Sequence, residues 1–183
     1  MKIPKLPQDL DPTTPPKSTE GQQEAIDVSS SPCLRQEMGG TYFGYMPHDE
    51  LVDFLNLLLE AERAGARVCA RLAVDAPTTE LRRKLREVQQ DEVYSCGLLI
   101  KALQTIDAEI SLKVGDFYEK VMALETLAER LTLLNRGQEW VEKKLRRGLP
   151  QIEDSRIRDQ LQEMLVRHEV NIREMEIQLA NFL

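Results

Sequence analysis

The 183-residue chain is 42% hydrophobic and 30% charged but only 5% aromatic, and its net charge is −7. That balance suits one helical domain with a tail and excludes a general nucleic-acid binder, which needs a basic face to neutralise phosphates. No run of about 18 uncharged apolar residues is present to span a membrane, and MKIPKLPQDLDPTTPP has no apolar core of a secretory signal.

Six of the nine prolines lie among Ser, Thr, Gln and Lys before residue 33, so residues 1–46 are read as a disordered tail. It ends in GGTYFGYMP (39–47), where Tyr42, Phe43 and Tyr45 are expected to form an aromatic clasp over one end of the domain. The domain itself is expected to occupy residues 47–183. Pro47 with Asp49 and Glu50 suits a helix start, and a first helix is predicted over 47–74. Pro77, Thr78 and Thr79 supply a turn and an N-cap for a second helix ending near Ile106. After the connection DAEISLKVG, Asp116 and Glu119 read as a capping box opening a third helix that runs to Gly148. Pro150 breaks it, and Asp154 or Ser155 caps a fourth helix reaching nearly to Leu183. The basic clusters LRRKLRE and EKKLRRG are read as solvated helix faces or complements of a helix dipole.

The inward stripe of the first helix is Leu51, Leu55, Leu58, Glu62, Gly65, Cys69 and Leu72. Its single acid requires a partner, because an isolated buried carboxylate costs more than a helix can offset. A repeat with an offset of 76 residues supplies candidates. That offset carries Leu81, Leu85, Val88, Glu92, Ser95, Leu99 and Leu103 of the second helix onto Ile157, Leu161, Met164, His168, Asn171, Met175 and Leu179 of the fourth. It also carries Leu55, Leu58, Glu62 and Gly65 onto Leu131, Leu134, Gln138 and Val141. The polar interruptions superpose. The expected architecture is all-α: two repeated αα-hairpins packed as a four-helix bundle, with Glu62, Glu92, Gln138 and His168 at one level.

This pattern resembles the ferritin-like superfamily, and is most similar to uncharacterised bacterial ferritin-like domains. The resemblance implies two irons held by one Glu on the first helix, Glu-x-x-His on the second, one Glu on the third and Glu-x-x-His on the fourth. Glu62 and Glu92 match; Ser95, Gln138, His168 and Asn171 depart from the set. Glu139 or Glu142 could replace Gln138 if Gly137 shifts the register. A di-iron centre needs about four carboxylates, so the set is degenerate.

Two functional expectations follow. The first is a structural or partner-binding protein without a cofactor and without enzymatic activity, homodimeric, engaging a protein partner through its N-terminal extension. Its polar layer would fix helix register. The alternative is a redox or iron-handling protein with one iron or manganese held by Glu62, Glu92 and His168, and with Asn171, Gln138 and Cys96 as weak ligands or supports. Cys33, Cys69 and Cys96 form neither a C-x-x-C nor an even set, which points to a reduced, cytoplasmic protein.

Overall fold

The computed structural model describes residues 44–180, and these are all-helical. Four long helices, α1 (His48–Asp75), α2 (Thr79–Thr105), α4 (Leu127–Gly148) and α5 (Ser155–Ala180), are accompanied by the short α3 (Phe117–Met122) and a 3₁₀ turn, Leu149–Gln151. No helix among the described residues is long and apolar enough to cross a membrane.

The boundaries follow local chemistry. Thr78 caps α2 by accepting from the Leu81 amide at 3.1 Å, and Asp154 accepts from the Ile157 amide at 3.2 Å ahead of α5. Pro47 takes the cap position itself, so α1 begins one residue later than predicted. Arg82 reaches back to the Ala73 and Ala76 carbonyls at 3.3 and 3.1 Å, closing the C-terminus of α1, which has no basic residue in its last turn. Arg158 does the same to Ile152 at 3.0 Å. Thr78 and Asp154, Ala76 and Ile152, and Arg82 and Arg158 are each 76 apart, so the repeat extends through the turns.

The predicted third helix is corrected. Asp116 makes no side-chain cap, and its helix ends at Met122; the capping box lies at Thr126 and Glu129, which opens α4. Thr126 accepts from the Glu129 amide at 3.2 Å while the Glu129 carboxylate accepts from the Thr126 amide at 2.9 Å. Both segments fit the capping pattern, but only Thr126 is followed by the inward stripe Leu131, Leu134, Gln138 that rewards helix growth with burial.

Helix α1 packs on α2 and on α4, α5 packs on α2 and α4, and the pairs α1/α5 and α2/α4 do not approach at backbone distance. The inward stripes form two apolar clusters. One contains Leu55, Leu58, Leu99, Leu103, Leu145 and Leu161. The other contains Val68, Leu72, Leu81, Leu85, Leu131 and Leu134. Each fully buried large aliphatic side chain contributes roughly 1.5–3 kcal/mol. The level between the clusters belongs to polar side chains. Residues 1–43 and 181–183, which carry the expected tail, Tyr42, Phe43 and the end of the fourth helix, lie outside the described residues. Tyr45 is half-buried, and the Met46 amide donates to the Gln151 carbonyl at 2.8 Å, tying the described end of the aromatic segment to the 3₁₀ turn.

Candidate metal centre

Glu62 on α1, Glu92 on α2, Gln138 on α4 and His168 on α5 are all buried, with exposures of 0, 2, 4 and 1%. The structure brings the three predicted ligands together: one ligand atom each from Glu62, Glu92 and His168 lies within 4.8 Å of the others. Gly65 makes this approach feasible. A Cβ there would sit 2.7 Å from Glu92 Oε1, so the small residue on the α1 stripe is the space into which the Glu92 carboxyl fits.

The hydrogen bonding is incomplete in an informative way. His168 Nδ1–H donates to the Met164 carbonyl at 3.0 Å. A carbonyl only accepts, so Nδ1 carries the proton and a neutral ring presents the bare Nε2 lone pair. That nitrogen faces Glu62 Oε1 at 3.2 Å. Two acceptors face one another there, and only a proton or a cation can reconcile them. The contact lacks hydrogen-bond alignment: Glu62 Oε1 and Oε2 and His168 Nε2 have no hydrogen-bond partner among the described residues, and Ser95 Oγ shares that condition.

Electrostatics follow from burial. Burial pushes the Glu62 carboxyl from its usual 4.5 to about 8, partly opposed by the nearby polar side chains of Glu92 and Ser95. Glu92 is raised well above the usual range, first by burial and then by the charge of Glu62, against the opposing influence of His168 and of the Gln138 amide, which donates to Glu92 Oε1. Burial likewise raises the Cys69 thiol, and pushes Cys96 up to about 12. Cys96 is not among the residues whose ligand atoms converge; Cys33 lies outside the described residues.

Other sequence assignments are sharpened. Glu139 and Glu142 pair along α4 with Lys143 at 3.3 Å and Arg146 at 2.7 Å, which leaves Gln138 as the α4 member of the layer. Asn171 is committed elsewhere: its amide donates to Asp91 at 3.1 Å and its carbonyl accepts from Lys84 at 3.3 Å. Lys84, read as part of a solvated basic face, is 5% exposed and paired with Glu174. Its position between Leu81 and Leu85 on the inward stripe was the available signal.

These helices and this buried polar centre define a class of all-helical protein with a Glu-Glu-His cluster at its core. Over residues 49–177 the sequence matches the family described as a domain of unknown function, DUF6306, and the chain belongs to that family. No curated protein and no solved structure matches the chain.

Proposed function

We propose that the chain is a ferritin-like four-helix bundle of two repeated hairpins with a degenerate di-iron ligand set, and that Glu62, Glu92 and His168 hold one iron or manganese ion. The observation that carries this reading is that Glu62 Oε1, Glu62 Oε2 and His168 Nε2 are buried with no hydrogen-bond partner among the described residues, while one ligand atom each from Glu62, Glu92 and His168 lies within 4.8 Å of the others. A polar layer that served register alone would satisfy its own members, since an unpaired buried polar atom costs about 1–3 kcal/mol.

The residues do not fit a pair of irons. Two carboxylates and one imidazole supply too little negative charge, Asn171 is occupied by Asp91 and Lys84, and Gln138 is an amide. They fit one divalent ion, whose charge two carboxylates neutralise. Such an ion would supply redox or Lewis-acid chemistry when bound. The chain's residues orient it: Met164 fixes the His168 tautomer, and Gln138 and Gly65 set the position of the Glu92 carboxyl. The alternative is the structural, partner-binding protein in which Glu62 and Glu92 remain neutral acids, a state their raised pKa values favour. The homodimer expected with that structural reading is tested by sedimentation equilibrium of the full chain.

Metal analysis separates the two readings. Full-length protein purified without chelators and reconstituted anaerobically with Fe(II) or Mn(II) is expected to retain about one ion per chain, with His168→Ala losing it. Retention of no metal by the folded, unaltered chain overturns the metal reading and leaves the structural one.

A further inference from the structure

A cavity of about 430 Å³ lies between α1 and α4 beneath α3. Its mouth is marked by Leu57 and Trp140, which are 42 and 40% exposed. Its floor is Glu92 and Gln138, which are 2 and 4% exposed, so it connects the surface with the polar layer. Small residues keep it open. Ala61, Ala64 and Gly65 line the α1 side, and Gly137 on α4 lets the Phe117 ring lie against the backbone, where a Cβ would come within 2.7 Å of the ring.

The volume falls in the range of small-molecule sites, and the walls of Leu57, Leu133, Leu134, Phe117 and Val141 are apolar. The floor is selective. The Gln138 amide nitrogen is committed to Glu92, while Gln138 Oε1 is a buried acceptor with no hydrogen-bond partner among the described residues. A buried carbonyl in that condition is unfavourable until a donor reaches it. We propose that the cavity binds a small, largely apolar molecule carrying one hydroxyl or amino head, with the head donating to Gln138 Oε1 and the body lying between Ala61 and Trp140.

The site needs no metal ion, so chelator-treated full-length protein is the sample, and failure of the metal reading leaves the result intact. Trp140, the single tryptophan of the chain, lines the cavity and reports occupancy through its fluorescence. The probes are 1-hexanol, n-hexylamine and 1-methoxypentane, the last an isomer of hexanol with no donor. One of the two donor probes is expected to give a saturable Trp140 change, and the ether to bind about tenfold more weakly, as loss of one hydrogen bond implies. Ala61→Leu, which fills the cavity, abolishes the response. Gln138→Leu weakens the donor probe to the level of the ether and leaves the ether unchanged, with the circular dichroism melt of each variant verifying its fold. The proposal is overturned if neither donor probe gives a saturable response, if folded Ala61→Leu responds as the unaltered chain does, or if the ether binds as tightly as the alcohol and amine.

Discussion

Glu62 is the fully buried acid that α1 contributes to the polar layer. In the metal-free protein it is faced by Glu92 and Ser95 from α2 and by His168 from α5, with Cys69 on its own helix. Burial raises its folded pKa from 4.5 to about 8, so between these values the folded state holds a proton that the unfolded chain has released. Its contribution to stability is therefore fully present below pH 4.5 and is lost as pH climbs toward about 8. Chelator-treated protein should unfold at lower urea as pH rises through this window, and Glu62→Gln should flatten the slope and exceed the parent in stability at its upper end. Added Fe(II) or Mn(II) should act with the opposite sign, stabilising more as pH rises, because the ion displaces protons from its ligands. Urea midpoints across the range check both directions; an unaltered slope in Glu62→Gln would remove Glu62 as the source.

At the scale of elements, the connection between α2 and α3 shows how an irregular segment is held. Asp107, with φ of 52°, ends α2 in the left-handed conformation, its amide donating to the Gln104 carbonyl at 3.2 Å and that of Ala108 to Leu103 at 3.0 Å. Asp tolerates this region better than most residues, which explains a helix end without glycine. The segment is then fastened along α1: the Asn56 side-chain amide donates to the Glu109 carbonyl at 3.0 Å and its oxygen accepts from the Ser111 amide at 2.8 Å. Arg63 donates to the Ser111 carbonyl, and the Ser111 hydroxyl donates to Glu60. On the bare sequence Asn56, Glu60 and Arg63 look like an ordinary polar face. The start of α4 gives the measurable consequence. Thr126→Ala should cost about 1 kcal/mol because it opens a capping box, whereas Asp116→Ala should stay within about 0.5 kcal/mol. Thermal or urea denaturation of the two variants distinguishes them, and equal losses would contradict the placement of the box.

In the whole molecule, the polar layer interrupts what would otherwise be one continuous apolar interior, with Leu58, Leu99 and Leu161 in the cluster on one side and Leu72, Leu85 and Leu134 in that on the other. Burying acids, an imidazole and an amide there is expensive, and apolar side chains of similar volume would fill the same space at lower cost. Joint replacement by Glu62→Met, Glu92→Met, Gln138→Leu and His168→Leu should therefore raise the stability of the metal-free fold by about 1–4 kcal/mol while abolishing metal retention. Melting curves with metal analysis of the same preparation make the check; a large loss of stability would mean that the layer itself holds the helices in register.

The sequence alone determined the four long helices apart from where α4 begins, their inward faces and the level at which Glu62, Glu92, Gln138 and His168 interrupt them. That information is local, carried by the 3.6-residue period, by the caps and by the 76-residue offset, which also matches Thr78 with Asp154 and Arg82 with Arg158. Tertiary structure decided what each polar group meets. Asn171 and Lys84 share stripes with the layer, yet Asp91 and Glu174 claim them, because the direction of a side chain depends on what the neighbouring helix presents. The same reason applies to Gly65, whose missing Cβ makes room for a carboxyl from α2, and to Gln138, whose amide donates to Glu92 while the residue lines the cavity. Spacing along one helix places a residue at a depth; only the packing of several helices selects its partner.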